Sequence, residues 1–442
     1  MQQINPQGST QGVTQAARPV PQMAWKNPNL RLYFGGQIVS MIGTWMQQMA
    51  LSWLIYRLTN SIAMLGIVAF ATQAPSFFMT PIAGMVADRV NKHRLVIVTQ
   101  IFAMIQAGLL AALVLTGHTE IWQLIVLGIF SGLINAFDMP GRQAFLVDML
   151  DDRSQLPNAI ATNSSIVTLT RLIGPSVAGI LIAKAGEGVC FLINAVSYIA
   201  VIAALLFIRT QATTHKKPDG QTFLAGLQEG FTYAFGFKPI RALILLMALV
   251  SLVGMPFSTL MPAFAKDVFH GNAATLGFLT AASGVGSLAG AILLGSRKGV
   301  LGLGRWIVLA CACFGLGLIG FGFSSYFPLT LLALAVAGCG GMVQIASCNT
   351  LIQTIVDEDK RGRVMAIYTM AFIGLAPFGS VVAGAVAEKI GPSTTVVISG
   401  VLCIILAAVF ATKLRDIRKE VRPIYVEQGI IEAESDMKTL NT

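Results

Sequence analysis

Apolar segments long enough to cross a lipid bilayer recur along the whole chain, and they restrict its fold more than any other feature. A helix needs about 20 consecutive apolar residues to span the hydrocarbon core of a membrane. Such segments occur at 31–58, 61–87, 94–116, 121–145, 156–184, 188–209, 240–265, 272–296, 304–325, 328–356, 362–388 and 393–413. The pattern predicts an all-α integral membrane protein with twelve transmembrane helices.

Charged residues are scarce between and within these segments. Only 11% of the 442 residues are Asp, Glu, Lys or Arg, and the mean hydropathy is +0.72. A soluble domain carries about a quarter charged residues, because its surface must face water. The composition therefore excludes a large soluble globular protein. Residues 1–24 are rich in Gln, Pro, Ser and Thr and lack the order of a signal peptide, which predicts a disordered tail.

The basic residues lie almost entirely on one side of the predicted membrane. Of the 30 Lys and Arg residues, 25 fall in the termini and alternate connectors, with Arg142 counted in the connector between helices 4 and 5. The positive-inside rule then predicts that both termini lie in the cytoplasm. The basic residues are spread over seven connectors and form no compact patch, so the net charge of +10 does not indicate a nucleic acid partner.

A repeated spacing divides the chain into two halves. Leu65-Gly66 recurs as Leu276-Gly277, and Arg94 recurs as Arg305, both at a shift of 211 residues. We therefore expect one six-helix unit at 25–209, a second at 240–414, and a cytoplasmic tail at 415–442. Paired repeats of this kind build transporters whose substrate path runs between the halves near the midplane.

The predicted linker between the halves, 210–239, contains an amphipathic segment. Its apolar residues recur at helical spacing on one face, opposite Gln228 and Glu229. This periodicity predicts a helix lying on the membrane surface, with an apolar face formed by Phe223, Leu224, Leu227 and Phe231.

Three groups of residues resemble the major facilitator superfamily of transporters. GMVADRVNKHRL at 84–95 is similar to the superfamily motif G-x-L-A-D-R-x-G-R-K between helices 2 and 3, and RLIGPSVAG at 171–179 resembles the helix-5 motif of antiporters. Thr170 and Ala178 stand where the antiporter motif has glycine. AFDMPGRQAF, LPNAIATNSS and GEGVCFLINAVSYIA resemble the branch that contains enterobactin-type siderophore exporters.

The resemblance implies roles for individual residues. Asp88 and Arg89 would close the cytoplasmic side, with Asp88 meeting the first turn of helix 11 near Arg361 and Arg363. Asp148 and Asp151 would receive Arg89 or Arg94. The implied cytoplasmic gate comprises Gly84, Asp88, Arg89, Lys92, Arg94 and Asp148. The glycines and proline of the helix-5 motif would limit proton leakage, or simply bend and pack the helix; they are Gly174, Pro175 and Gly179.

Asp138 and Arg171 are the charged residues that the pattern places well inside predicted spans. A charge in the bilayer interior costs at least ~2.5 kcal/mol by insertion scales, so it usually has a function. We predict Asp138 as a proton or cation site and Arg171 as an anion or substrate contact. The alternative is that backbone and polar neighbours satisfy each charge for packing alone.

Polar side chains at helical spacing predict a cavity. Helix 1 carries Gln37, Ser40, Thr44, Gln47 and Gln48 on one face, and polar groups avoid lipid. The alternative is hydrogen bonding between helices. The predicted substrate cavity comprises Gln37, Ser40, Thr44, Gln48, Gln73, Asn135, Asn163, Gln344 and Asn349.

No enzyme constellation accompanies these features. The sequence has neither a metal-ligand cluster nor a phosphate-binding loop of the Walker type, so we expect no enzyme activity, metal or cofactor. Energy would then come from an ion gradient. The predicted function is a monomeric secondary exporter that moves a small amphipathic siderophore- or drug-like molecule by alternating access, coupled to proton antiport. A nutrient symporter or facilitator, a lysolipid flippase and a non-transporting receptor remain alternatives.

Overall fold

The computed structural model describes residues 27–150, 155–208, 223–297 and 299–431, apart from the side chains of Pro81, Ala87, Asp88 and residues 223–227. The predicted N-terminal tail and most of the linker therefore lie outside the described residues. The predicted C-terminal tail is helical up to Glu427, because the last transmembrane helix continues past the bilayer-length apolar run. No β-strand occurs in the described ranges.

In the described part of the chain, six long helices precede the linker helix, and eight helices of varied length follow it. The first set is α1 Pro28–Thr59, α2 Ile62–Arg89, α3 Lys92–Leu115, α4 Ile121–Asp148, α5 Leu156–Ala185 and α6 Glu187–Phe207. The linker helix is α7 Phe223–Gly236. The second set is α8 Lys238–Val253, α9 Phe257–Ala263, α10 Ala273–Gly295, α11 Leu303–Phe323, α12 Phe327–Ile355, α13 Arg361–Ile373, α14 Ala376–Ile390 and α15 Pro392–Glu427.

Two of the predicted helices are interrupted. The predicted helix 7 consists of α8, α9 and a π-helical turn at Phe264–Val268, with Gly254 and Pro256 at the first break. The predicted helix 11 consists of α13 and α14, with Pro377 in the first turn of α14. Proline lacks the backbone N–H that an uninterrupted helix would use, so the chain breaks its helical hydrogen bonding at these points.

Eleven segments of the described chain are long and apolar enough to span a membrane. They correspond to the predicted spans other than the first. The first, α1, has 32 residues and is long enough, but its polar face lowers its hydropathy. The chain is thus a helical membrane protein. That α1 forms a twelfth crossing stays a prediction.

The helices pack in two groups. In the first, α1 packs on α5 and α6, α3 on α4 and α6, and α2 on α4. In the second, α12 packs on α10 and α11, and α15 packs on α8 and α11. The groups meet along two crossings, α2 with α14 and α5 with α10.

Glycines bring the backbones together at both crossings. A Cβ on Gly66 of α2 would lie 2.4 Å from the Ser380 carbonyl oxygen of α14, and a Cβ on Gly179 of α5 would lie 2.8 Å from the Ala273 carbonyl oxygen of α10. Only glycine allows such an approach, which is common where helices associate in lipid.

The two ends of the bundle differ. We call the end that holds the α2–α3 and α12–α13 connectors the basic end, and the end that holds the α1–α2 and α14–α15 connectors the far end. Side-chain hydrogen bonds between the groups concentrate at the far end: Tyr56 donates to Asp267, and Lys266 donates to Asn60. The two groups are therefore held together at the far end.

The linker helix α7 packs against the second group at the basic end. Glu229 accepts a 2.7 Å ion pair from Arg363 of α13, and the Lys360 ammonium lies 4.6 Å from the ring centre of Tyr233. Burial raises the pKa of the Tyr233 hydroxyl, so this group stays protonated at neutral pH. Of the predicted apolar face of α7, the side chains of Phe223, Leu224 and Leu227 lie outside the described residues. The fourth member, Phe231, is exposed.

Candidate functional site

A buried carboxylate lies in α4, in contact with side chains of α3 and of α4 itself. Asp138 is only 6% exposed. Its Oδ1 accepts hydrogen bonds from the Thr99 hydroxyl and the Gln100 amide of α3, each at 2.7 Å. Its Oδ2 forms an ion pair with Arg142, one helical turn further along α4. Asp138 therefore has its charge balanced within its own helix and its hydrogen bonds supplied by the neighbouring helix.

Arg142 extends this network to α1. Its Nη1 donates to the Gln37 amide oxygen at 2.5 Å, so that Asp138, Arg142 and Gln37 form one chain of contacts. The assignment of Arg142 to a connector is wrong, because α4 continues to Asp148. The spacing of four residues between an acid and a base on one helix was the signal that could have identified the pair.

Arg171 occupies a different environment. It lies about 22 Å along α5 from Leu156, near the middle of that helix. Its guanidinium carbon lies 5.4 Å from the ring centre of Trp45 on α1, a cation–π contact. No carboxylate pairs with Arg171 in the part of the chain that the structure describes. Asp138 pairs with Arg142 instead.

The face of α5 that carries Arg171 is polar. Ser164, Thr168 and Arg171 follow one another at steps of four and three residues and are accessible. The exposed apolar residues Leu169 and Ile173 project from the other side of the same helix. Arg171 therefore faces away from the apolar stripe that suits lipid.

The predicted cavity residues fall into two environments. Thr44, Gln48 and Asn135 are exposed, and Gln73, Asn163 and Asn349 are half-buried. The other three are buried, namely Gln37, Ser40 and Gln344. Both polar atoms of the Gln344 side chain, which is 1% exposed, and the hydroxyl of Ser40 lack a hydrogen-bond partner among the described protein atoms. The helix-1 stripe is thus split between accessible and buried groups.

Part of that stripe serves contacts between helices. The Gln47 amide donates to Gln106 of α3 at 2.9 Å and accepts from Asn194 of α6 at 2.8 Å. These buried bonds tie α1 to two neighbours, as the alternative interpretation of the polar stripe holds for this position.

At the basic end, the structure brings together two of the predicted gate residues. The Lys92 ammonium lies 3.1 Å from the Asp148 carboxylate, and both side chains are largely buried. The resemblance assigns Asp148 to Arg89 or Arg94, whereas the structure shows it with Lys92, and Arg89 and Arg94 are exposed. Lys92 is the first residue of α3 and lies directly opposite the last residue of α4, which brings its ammonium within reach of the Asp148 carboxylate.

The structure describes fewer contacts for the remaining predicted gate residues. Gly84 lies on α2 with open space where a Cβ would project. The side chain of Asp88 and the predicted acceptor Asp151 lie outside the described residues. Arg363, a predicted neighbour of Asp88, contacts Glu229 of the linker helix, and Arg361 lies 3.9 Å from Glu358.

The helix-5 motif forms close packing contacts on two sides. A Cβ on Gly174 would lie 2.5 Å from the Trp45 Cβ of α1, and Gly179 contacts α10 of the other group. Pro175 lies inside α5, where its carbonyl oxygen approaches Gly277 of α10. These residues set how closely α5 approaches both neighbours, while their part in proton leakage remains a prediction.

Two groups of membrane helices that meet at two glycine crossings agree with the resemblance to transporters of the major facilitator superfamily. The chain belongs to the transmembrane secretion effector family, whose sequence profile matches residues 24–429. It is therefore a multi-pass membrane transporter and not an enzyme.

Two known transporters are similar to the chain in sequence, and a solved structure is similar to it in fold. The chain is 25% identical over 381 residues to the staphyloferrin A transporter of Staphylococcus aureus, covering 86% of this chain and 95% of that protein. It is 23% identical over 411 residues to the multidrug efflux pump Tap of Mycolicibacterium fortuitum, covering 90% and 99%. Among solved structures, the nucleoside transporter NupG superposes with a TM-score of 0.68 at 15% identity, covering 87% and 98%.

Proposed function

We propose that the protein exports a small amphipathic molecule, siderophore- or drug-like, out of the cytoplasm by alternating access and proton antiport. The staphyloferrin A transporter and the efflux pump Tap support this class of substrate, since both match the chain over nearly their whole length. On this proposal the protein works as a monomer in a bacterial inner membrane with both termini in the cytoplasm.

Arg171 carries the proposal. A guanidinium near the middle of a membrane helix, with an aromatic ring beside it and no carboxylate partner among the described residues, is an uncompensated cation. Because such a charge is expensive in a membrane, it is retained where a ligand compensates it. An anionic group on the substrate would supply the missing counter-charge, and Trp45 would contact an apolar part of the same molecule.

Asp138 is the proposed proton site, with Arg142 as its counter-charge. The carboxylate lies between α3 and α4 in the first group and is linked through Arg142 to Gln37 on α1. A proton bound to Asp138 would remove the attraction to Arg142 and free the guanidinium to move relative to α1. Movement of α1 relative to α4 would then couple the protonation of Asp138 to the proposed substrate contact at Arg171 and Trp45.

Transport in proteoliposomes under an imposed pH gradient tests the proposal, with staphyloferrin A and ethidium as the two probes. We expect gradient-dependent movement of at least one probe, and we expect Asp138→Asn to reduce it to the background of protein-free liposomes. The same variant should be destabilised by about 3 kcal/mol, because it leaves Arg142 part-buried without its counter-charge.

The double variant Asp138→Asn/Arg142→Gln is the matched control for folding. It removes both charges together, so most of the lost thermal stability should return while proton-dependent transport stays absent. Full gradient-dependent transport in either variant would exclude Asp138 from coupling. Movement of a lysolipid or a nutrient, with neither probe transported, would instead favour the flippase or uptake alternatives.

A further inference from the structure

A carboxylate of one helix group closes the first turn of a helix in the other group at the far end. Glu388, in the last turn of α14, accepts hydrogen bonds from the backbone N–H groups of Ile62 at 2.7 Å and Ala63 at 3.0 Å. These are the first two residues of α2. The Ser61 hydroxyl accepts from the next N–H, that of Met64, so the opening turn of α2 is capped jointly by its own serine and by a residue 327 positions away.

Glycines fix the register that makes this contact possible. Gly384 lies one helical turn before Glu388, and a Cβ there would lie 2.9 Å from the Ile62 carbonyl oxygen and 3.3 Å from the Gly66 Cα. The backbones of α2 and α14 therefore touch one turn inside the cap. This crossing leaves little freedom to slide, and Glu388 reaches the N-terminus of α2 because it projects from the same face as Gly384.

The direction of the two helices suggests why an acid is present at this position. α2 and α14 are antiparallel, so the C-terminal end of α14 lies beside the N-terminal end of α2. A helix N-terminus carries partial positive charge and attracts a carboxylate. Glu388 uses this attraction at the far end. The sequence predicts the mirror arrangement at the basic end, where Asp88 near the end of α2 would meet the first turn of α13.

We propose that Glu388 is a latch that holds the far end closed and exchanges with the predicted Asp88 contact at the basic end during the transport cycle. One antiparallel helix pair then carries a carboxylate-to-helix contact at each end, and only one end is closed at a time. The proposal rests on the alternating access proposed above. It assigns to Glu388 a role in choosing between the two conformations, without contact to the substrate.

Other charged groups surround the contact and help to close the far end. Lys266 and Asp267 lie on the π-helical turn of the second group and reach Asn60 and Tyr56 of α1. Lys389 follows Glu388 in the sequence and is exposed, without a partner across the crossing in the described structure. Lys389 therefore offers a charge at the same end of the same helix that does not take part in the latch.

Distance measurement between two spin labels tests the latch without substrate or ion gradient. The labels are placed on His118→Cys in the α3–α4 connector and on Ser325→Cys in the α11–α12 connector, in the full-length chain with its six native cysteines replaced. Both positions are exposed, lie at the far end and belong to different groups. The parent protein should show mainly the short distance of the closed far end.

Glu388→Gln should raise the ratio of open to closed far end by about two- to fivefold, the effect expected when a carboxylate at a helix N-terminus loses its charge. Glu388→Asp, which keeps the charge on a shorter stem, should give a smaller increase. Lys389→Gln should match the parent. Equal distance distributions for Glu388→Gln and Lys389→Gln, with both variants folded by thermal unfolding, would overturn the proposal.

This readout separates the latch from the proposed function. A distance shift in Glu388→Gln supports the latch even if neither staphyloferrin A nor ethidium is transported. Transport of a probe combined with an unchanged distance distribution would reject the latch and leave the exporter proposal standing.

Discussion

At the scale of single residues, the two charges predicted inside the membrane have different surroundings. Asp138 has a base one turn away on its own helix and two neutral donors from α3. Arg171 has an aromatic ring and accessible polar neighbours on its own helix face. A balanced charge suits a group that moves a proton within the protein, whereas an uncompensated charge suits a group that meets a ligand.

The uncompensated state of Arg171 gives a prediction for substrate affinity. Arg171→Gln should raise the KM for an anionic transported probe by about tenfold or more, because a charge-assisted contact contributes about 1.5–3 kcal/mol. Arg171→Lys should lose less affinity, since it keeps the charge but not the planar, two-point geometry. The measurement is initial transport rate against probe concentration.

Lys184→Gln is the matched control for this series. It neutralises an exposed cation on the same helix, close to its far end. An equal rise in KM for Lys184→Gln and Arg171→Gln would show that the effect comes from the total charge of α5 and not from a contact at Arg171.

At the scale of helices, glycine determines where the two groups approach each other. The α5–α10 crossing depends on Gly179 and Gly277, and the α2–α14 crossing depends on Gly66 and Gly384. These glycines lie toward the far end, where the inter-group hydrogen bonds also concentrate. Close backbone contact and polar bonds therefore act together to hold that end.

Substitution at one crossing should separate the helices. In Gly179→Ala the new methyl group would lie 2.8 Å from the Ala273 carbonyl oxygen, so either α5 or α10 must shift. We expect a loss of about 1–3 kcal/mol in the free energy of unfolding, the usual effect of overpacking, measured as a lower midpoint of thermal unfolding in detergent.

Gly108→Ala provides the comparison, because Gly108 is a helical glycine in α3 with nothing within 4 Å of its Cβ position. That substitution should leave the unfolding midpoint unchanged or slightly raised, since alanine favours helix. If the two variants unfolded at the same temperature, the crossing at Gly179 would not limit helix packing.

At the scale of the whole molecule, the two ends of the bundle differ in charge and in contact. The basic end carries most Lys and Arg residues, the Lys92–Asp148 pair and the extension of α15 up to Glu427. In that extension, burial lowers the pKa of Arg418, and the positive charge of Arg305 adds to this effect. The far end carries the contacts between the helix groups.

The charge asymmetry predicts which end faces the cytoplasm. In a cysteine-free background, His118→Cys at the far end should react with a membrane-impermeant maleimide added outside intact cells, and Asp359→Cys at the basic end should not. Both positions are exposed, so burial does not limit either reaction. Permeabilised cells serve as the control, in which both cysteines should be labelled. Labelling of Asp359→Cys alone in intact cells would invert the predicted topology.

The sequence by itself determined the class of fold, the helical segments and the charge difference between the two ends. In lipid, each backbone N–H and C=O must find its partner within its own helix, so length and hydropathy suffice to locate the helices. Apart from the breaks near Pro256 and Pro377 and the longer final helix, the ends of the predicted spans lie within about three residues of the ends of the observed helices. Gly66 was visible in the repeat and Gly179 in the helix-5 motif, although their contacts were not.

Only the tertiary structure decided which side chains meet. The contact between Lys92 and Asp148 depends on where α3 begins relative to the end of α4. The capping of α2 by Glu388 depends on a helix crossing between residues more than three hundred positions apart. Periodicity assigns a residue to a face of its helix, but it does not specify the neighbouring helix, the crossing angle or the depth at which two helices touch. Those quantities are set by packing over the whole bundle, and they decide whether a polar residue lies in a path, in a gate or in the interior.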